Sequence, residues 1–452
     1  MEKSRKMAEM PVKKLMMSMG IPIIISMLLQ AFYNIVDSAF VSNMKTGGED
    51  ALNALTLAFP MQVLLIAMGI GTGVGANVIV ARCLGHGDKK QASKAAGNAV
   101  FMAAVIYVVF LLFGLFGAKA YITSQTSDPV IAGMGTDYLR ICLIFSFGNC
   151  FYAVYEKMLQ ATGHTVHSTI AQITGAVINI VLDPILIYGF FGIPAMGVVG
   201  AAYATVIGQI AAFILTFVFH IKVNLELSNE REYFKPDRRT ILNIYSVGFP
   251  AIISQALISV MTYGMNIILG KIGAEPVTAY GLYYKIWQFL MFAAFGMRDA
   301  IMPITAFAYG MGNKDRVRDA VRYGHLYTAI IMLAGTAGLE IFAKPMAGVF
   351  GLSGVTQSLC ISAMHIITIC FVFSGINIAF QGVFQALGAG MGSLLISICR
   401  QALFVFPFAI FFAGMAGTDV SKAWYVWITF PLAEALTSVI AVILFLNIKK
   451  KI

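Results

Sequence analysis

Long apolar runs recur along the whole chain and alternate with short polar loops. A run of about 20 apolar residues is long enough for an α-helix to cross the hydrocarbon core of a bilayer. The pattern therefore predicts an all-α integral membrane protein with twelve transmembrane helices. The predicted spans cover approximately residues 15–44, 51–81, 92–121, 130–161, 174–188, 198–221, 241–269, 276–309, 317–350, 356–387, 391–415 and 422–446.

Composition and charge agree with this prediction. Of the 452 residues, 59% are hydrophobic and only 12% are charged, which is too little charge to cover a soluble protein of this size. The net charge of +10 does not indicate a nucleic-acid partner, because the basic residues lie in short loops between the spans. Twenty-one of them fall on one side of the predicted topology and five on the other. By the positive-inside rule, both termini are expected in the cytoplasm.

The two halves of the chain resemble each other. Residues 18–26 (SMGIPIIIS) match 246–254 (SVGFPAIIS), and residues 159–163 (LQATG) match 384–388 (FQALG). The longest polar stretch lies between the halves, which predicts an N-terminal lobe at 1–222, a cytoplasmic linker at 223–239 and a C-terminal lobe at 240–452. Because six spans per lobe is an even number, the lobes are expected to be related by a pseudo-two-fold axis along the membrane normal.

Two acidic side chains fall inside apolar spans. Asn179 and Asp183 are spaced i, i+4 and so share one helix face, and Asp37 lies in the first span. A carboxylate at membrane depth costs at least ~2.5–3.5 kcal/mol on insertion scales, so it needs a partner or a function. Pro184 has no N–H, which leaves the carbonyl of Ile180 free to face a ligand. Together these oxygens predict a site for a cation or a proton.

The first two spans carry further signals. Pro22 lies inside the first span and is expected to kink it. Gln30, Asn34 and Asp37 are spaced four and three, so they share a face that should point into the bundle. The stretch Gly69–Gly75 (GIGTGVG) does not follow a strand, so close packing of helices is favoured over a nucleotide-binding loop.

With these motifs together, the chain resembles the multidrug and toxic compound extrusion (MATE) transporters, in their bacterial branch of MepA-like and DinF-like proteins. The resemblance covers nearly the whole chain. It implies export of cationic or amphipathic compounds in exchange for sodium ions or protons, across the bacterial inner membrane. It also implies a coupling-ion site and a hinge in the first span at Pro22. The coupling-ion site would consist of Asp37, Asn179, Asp183, Thr205 and the carbonyl of Ala201. Other branches have an essential acid in the seventh span, where this chain has Gln255.

Several other polar and aromatic residues fall inside or beside spans. A cavity for organic cations is expected to be lined by Met27, Gln30, Tyr33, Asn34, Asn149, Tyr152, Tyr283 and Trp287. A C-lobe polar network is a further hypothesis, with Lys285, Arg298, Asp299 and Glu434 as members. Lys285 and Glu434 are expected to be buried. Arg298 and Asp299, about 100° apart on a helix, are expected to face different neighbours. Glu156 is expected to extend towards water beside Lys157, and His164 and His167 are expected to be solvated turn residues.

These residues favour a secondary antiporter, and a lipid-linked saccharide flippase of the same superfamily is the alternative. An enzyme is not expected, because the sequence contains no nucleophile–base pair and no phosphate loop in its proper context. The six cysteines have no metal-ligand or disulfide spacing, so no metal is expected beyond a possible Na⁺ at the coupling-ion site, and no cofactor. A monomer in the lipid bilayer, acting on small organic cations, is expected. The exported compound and the choice between Na⁺ and H⁺ are left open.

Overall fold

The computed structural model describes residues 2–44, 48–349 and 354–449, and within them every regular element is helical. The side chains of a few residues in these ranges, Asn34 among them, lie outside the described residues. The α-helices are α1 (Glu2–Glu9), α2 (Val12–Ser42), α3 (Gly48–Gly85), α4 (Lys89–Leu112), α5 (Ala118–Thr123), α6 (Pro129–Ile144), α7 (Phe147–Ala161), α8 (Thr165–Tyr188), α9 (Val198–Val223), α10 (Arg238–Gly270), α11 (Ala274–Gly310), α12 (Lys314–Val349), α13 (Gly354–Thr368), α14 (Phe371–Ala386), α15 (Gly390–Ile398), α16 (Val405–Ala416) and α17 (Thr429–Lys449).

Short helical segments of other types complete the description. Turns of 3₁₀-helix lie at Arg231–Phe234 and Val420–Ile428, and π-helical turns at Phe113–Gly117 and Cys399–Leu403. By length and composition, ten helical stretches in the described residues can cross a membrane, and two bent helix pairs raise the number to twelve. The predicted all-α membrane fold is confirmed.

The two bent pairs were not predicted from the sequence. Helices α6 and α7 meet at an angle of 47°, and α13 and α14 meet at 55°. The breaks fall at Phe145–Ser146 and Ile369–Cys370, separated by nearly the same interval as the repeated sequence motifs. The apolar run continues through each break without a proline, so hydropathy alone indicates a single straight span there. The internal repeat therefore extends from the motifs to the path of the backbone.

Contacts divide the chain into two units whose boundaries fall inside helices. The first unit contains residues 1–11, 25–252 and 306–312, and the second contains 12–24, 253–305 and 313–452. Helix α2 is continuous through its internal Pro22, yet its residues belong to different units on either side of Ile24–Ile25. Long helices thus contribute to both units, whereas the sequence-based boundaries at 222 and 240 assign each helix to one lobe.

The polar stretch between α9 and α10 is held against α4. The side-chain amide of Asn98 donates to the carbonyl oxygens of Tyr233 and Lys235 at 3.3 and 3.2 Å, and its oxygen accepts from the N–H of Asp237 at 2.7 Å. Hydrogen bonds from Thr240, together with the Lys94 ammonium 3.2 Å away, lower the pKa of Asp237 to about 2. The predicted linker is therefore an ordered strap on the surface of the first unit.

Glycines allow α3 to approach two other helices of the first unit very closely. A Cβ atom on Gly75 would stand 2.2 Å from the carbonyl oxygen of Ile244 in α10. At the end of α3, a Cβ on Gly85 would stand 2.1 Å from the oxygen of Phe307, and one on Gly310 would stand 2.1 Å from the oxygen of Arg82. The glycine-rich stretch of α3 is thus a helix-packing surface, as predicted.

We expect Gly85→Ala to lower the melting temperature of the detergent-solubilised protein by several degrees. The added methyl group would meet backbone rather than a movable side chain, and such overpacking costs about 1–3 kcal/mol. Gly133→Ala in α6 is the matched control, because a Cβ there meets nothing within 4 Å and alanine favours the helix. Equal melting temperatures for the two variants would contradict the close approach of α3 and α11.

Candidate functional site

Helix α8 carries the centre of the site. Asn179 and Asp183 are buried, with 3% and 0% of their surface exposed. The side-chain amide of Asn179 donates to Asp183 Oδ1 and to Thr205 Oγ1 of α9, each at 3.5 Å. This is the outer limit of a hydrogen bond, so the cluster is close but loosely bonded.

Helix α2 brings a second carboxyl group to the same point. The side chains of Asp37 and Asp183 lie close enough to interact directly. Two carboxyl groups in such contact need a proton or a cation between them, because carboxylates only accept hydrogen bonds. Among the described residues no donor reaches Asp37 Oδ1, Asn179 Oδ1 or Asp183 Oδ2, although all three atoms are buried. The site is therefore rich in oxygen atoms that lack partners.

Small residues allow α8 and α9 to come together at this level. A Cβ on Gly175 would stand 2.7 Å from the oxygen of Gly208, and one on Gly208 would stand 2.6 Å from the oxygen of Gly175. The first turn of α9 is also small and buried, with Ala201 fully covered. This close approach is what brings Thr205 within reach of Asn179.

Two hydrogen bonds join α2 to α8 on either side of the acid pair. Gln172 donates its side-chain N–H to Gln30 Oε1 at 2.7 Å, and the Tyr188 hydroxyl donates to the carbonyl oxygen of Phe40 at 2.6 Å. Gln172 and Tyr188 were not predicted as site residues. Gln172 lies about two helical turns before Asn179 and so shares its helix face, which is the signal that could have identified it; Tyr188 carries no such signal.

The remaining residues of the predicted cavity are divided between the two units. Met27 and Tyr33 are half-buried on α2, and the side chain of Asn34 lies outside the described residues. On α7, Asn149 Nδ2 and the Tyr152 hydroxyl are buried and have no hydrogen-bond partner among the described residues. Tyr283 and Trp287 belong to the second unit, where both line a separate cavity.

The polar residues of the second unit pair differently from the prediction. Arg298 and Asp299 bond to each other, at 3.0 and 2.9 Å, because the long arginine side chain folds back along the helix. Lys285 is exposed and not buried, so it does not belong to an internal network. Glu434 is buried as expected, and its partners are Arg400 and Asn377, which the sequence analysis did not identify.

A further buried polar cluster lies at the junction of α7 and α8. Lys157 donates to Gln160 at 3.0 Å, and Gln160 donates to Glu156 at 2.8 Å. His164 lies 3.8 Å from Glu226 of the strap. Burial alone would raise the pKa of Glu226, but hydrogen bonding to His164 and the charge of that ring bring the pKa below its ordinary value. The expectation that Glu156 and His164 extend into water was wrong: both are buried, as is Lys157, because α3 packs against Lys157 and the strap residue Glu226 lies against His164.

The described residues form helices, with ten to twelve candidate membrane spans and a buried, oxygen-rich site within one bundle. These features define a polytopic membrane protein of the transporter class. The MatE family model matches the chain twice, at residues 22–185 and 250–411, once in each half. These matches cover more than half of the chain, which belongs to the MatE family.

Individual relatives agree with this assignment. The chain is 24% identical over 404 residues to the multidrug export protein MepA of Staphylococcus aureus strain NCTC 8325, covering 87% of this chain and 86% of that protein. A MATE structure solved in complex with MaL6 is 25% identical, has a TM-score of 0.91 and covers 100% of both chains. An outward-facing multidrug resistance MATE transporter of the MOP superfamily is 26% identical, with a TM-score of 0.91, covering 99% of this chain and 98% of that one.

We expect Asp183→Asn to be as stable as the wild-type protein, or more stable, in sodium-free buffer at about pH 9. The amide keeps the shape of the side chain and removes one of two touching charges, whose repulsion at 4 Å is of the order of 4 kcal/mol near a protein surface. The measurement is the melting temperature in detergent. Asp137→Asn, the same change on the exposed face of α6, is the control. A drop of many degrees for Asp183→Asn alone would mean that this carboxylate holds the bundle together.

Proposed function

We propose that this protein is a secondary antiporter that exports cationic and amphipathic organic compounds in exchange for protons or sodium ions. One observation carries the proposal: the carboxyl groups of Asp37 and Asp183 touch while three buried oxygens around them have no donor. A group that served only to stabilise the bundle would be satisfied by partners of its own. The names of the relatives, a multidrug export protein and a multidrug resistance transporter, support the same function.

Loading of the acid pair is the step that would couple ion and substrate. Without a cation, two carboxylates in a poorly solvated pocket repel each other. A bound proton or sodium ion removes this repulsion and lets α2, α8 and α9 draw together around Asp37, Asn179 and Thr205. Because Gln30 and Tyr33 lie on α2 within two turns of Asp37, closure would change the shape of that face and expel a bound cation.

Pro22 supplies the point at which α2 can bend. The missing N–H of a proline leaves no hydrogen bond to break there. The boundary between the two contact units also crosses α2 at Ile24–Ile25, directly after this proline, so the helix changes neighbours at this level. Both observations support a hinge at Pro22.

The membrane setting follows from the family and the charge pattern. We infer a bacterial cytoplasmic membrane, both termini on the cytoplasmic side and a monomer that works without a cofactor, the coupling ion aside.

The flippase alternative would need cationic groups that are free to bind phosphate. In the described part of the second unit, Arg298 bonds to Asp299, so this cation is already paired, which supports the antiporter.

We expect Asp37→Asn to lower substrate uptake into inverted vesicles at least tenfold under any imposed ion gradient, because an amide cannot release a proton and binds sodium poorly. Wild-type vesicles would be tested with a pH gradient alone and then with a sodium gradient alone, which identifies the coupling ion. Asp137→Asn provides the matched control on an exposed face. Full transport by Asp37→Asn would exclude the acid pair as the coupling site.

Substrate and coupling ion should also compete at equilibrium, since each favours a different shape of α2. We expect the affinity of purified protein for a fluorescent organic cation to fall as either proton or sodium concentration rises. In Asp183→Asn this dependence should disappear. Affinity that is unaffected by both ions in the wild-type protein would contradict the coupling scheme, whatever the transport assay shows.

A further inference from the structure

The turn between α8 and α9 contains a strained aromatic residue. Phe191 has a φ angle of 58°, and no other residue except glycine has a positive φ in the described parts of the chain. Gly192 follows with a φ of 81°, and the N–H of Ile193 donates to the carbonyl oxygen of Phe190 at 3.2 Å. Two left-handed central residues are the pattern of a type I′ turn, which favours glycine, asparagine and aspartate. A bulky side chain in this conformation is an outlier.

Backbone contacts hold the turn to the end of α8. The N–H of Met196 donates to the carbonyl oxygen of Leu186 at 2.9 Å. A Cβ atom on Gly189 would stand 2.6 Å from the backbone nitrogen of Ala195, so the chain folds back closely on itself. The conformation of Phe191 is therefore imposed by its surroundings. Strain that the surroundings fix in this way is concentrated at functional positions.

The strained side chain projects away from the protein. Phe191 is 89% exposed, and Phe190 and Ile193 on either side of the turn are exposed as well. Packing within the chain therefore does not account for an aromatic ring at this position. Glycine or asparagine would adopt the same turn with little or no strain. The contact that the ring makes must lie outside the chain.

The length of α9 places the turn at the surface of the hydrocarbon core of the membrane. Lys222 in the last turn of α9 marks one boundary of the core, since a charged side chain is costly in hydrocarbon. About 20 helical residues cross the core, so the opposite boundary lies near Ala202, one helical turn after the start of α9 at Val198. The turn itself, residues 189–197, contains no charged residue. An apolar turn thus lies at the depth of the lipid headgroups.

We propose that this turn is a lipid anchor, in which the rings of Phe190 and Phe191 enter the boundary between the headgroups and the acyl chains. Phenylalanine is among the residues that bury their apolar surface at this depth. Because the turn carries no charge, its insertion depends on apolar area and requires no anionic lipid.

The anchor has a consequence for the candidate site. Asn179 and Asp183 lie on α8 and Thr205 on α9, so the turn joins the two helices that carry them. Anchoring the turn keeps these helices at a fixed depth while α2 changes shape. This consequence rests on the proposed function, whereas the insertion of the turn into lipid does not.

The first test uses tryptophan as a reporter of lipid contact. Phe191→Trp and the control Ser127→Trp, in the exposed polar turn before α6, are reconstituted in vesicles of phosphatidylcholine with brominated acyl chains, which quench tryptophan on contact. The emission of the wild type, with its three native tryptophans, is subtracted. We expect blue-shifted, strongly quenched emission from Phe191→Trp and little quenching of Ser127→Trp. Adding phosphatidylglycerol should leave the quenching unchanged.

The second test measures stability in a bilayer. Phe191→Asn removes the ring and relieves the strain, because asparagine tolerates left-handed angles. We nevertheless expect its melting temperature in phosphatidylcholine nanodiscs to fall by several degrees, since the lipid contact is lost. Phe191→Leu is the matched control: it keeps both an apolar side chain and the strain, and should remain close to the wild type.

Three results would overturn the proposal. The first is equal quenching of the two reporters, or none of either. The second is blue-shifted emission from Phe191→Trp without quenching, which would mean that protein, such as a second copy of the chain, covers the ring. The third is a melting temperature of Phe191→Asn in nanodiscs that equals or exceeds that of the wild type. Neither test involves transport, so a failure of the coupling scheme would leave both results unchanged.

Discussion

The constraint that organises the candidate site of the first unit is the contact between two carboxyl groups in an apolar bundle. Such a contact is unfavourable unless a proton or a cation is shared. The surrounding elements hold it in place: Gly175 and Gly208 bring α8 and α9 together, and the hydrogen bonds Gln172–Gln30 and Tyr188–Phe40 fasten α2 to α8 on either side. The acid pair therefore lies between two fixed points on the same pair of helices.

In the second unit, a buried acid is paired with a cationic side chain and not with another acid. One buried acid there, Glu434, is neutralised by Arg400 and bonded by Asn377, and another, Asp299, is bonded by Arg298. An acid with this many partners has little reason to exchange protons or ions, while the acid pair of the first unit has few partners and must take one from solution. Among the described residues, the acid pair of the first unit keeps buried oxygens without a donor, whereas both oxygens of Glu434 are bonded.

The repeat preserves backbone geometry and not chemistry. Gly85 and Gly310 each allow a backbone oxygen of the other helix to approach, and Gly163 and Gly388 both adopt left-handed angles, with φ of 81° and 76°. The bent pairs α6–α7 and α13–α14 occur at matching places. These are positions where a side chain or a straight path would interfere with packing, so both halves retain them. The polar residues between them satisfy no such steric demand and are free to differ.

The sequence by itself determined the membrane class, the internal repeat and the presence of Asp37, Asn179 and Asp183 inside apolar spans. Apolar length and the cost of a charge in hydrocarbon are properties of the local sequence, so they can be read without a fold. Tertiary structure alone decided which groups meet: Arg400 with Glu434, Gln172 with Gln30, and the strap residue Glu226 with His164. These partners are far apart in the chain, and no local pattern encodes a pairing that exists only once helices have packed. The same reason applies to two lysines: Lys285 is exposed although it was expected to be buried, while Lys157 is buried. Two similar side chains differ in exposure only through what the fold places over them.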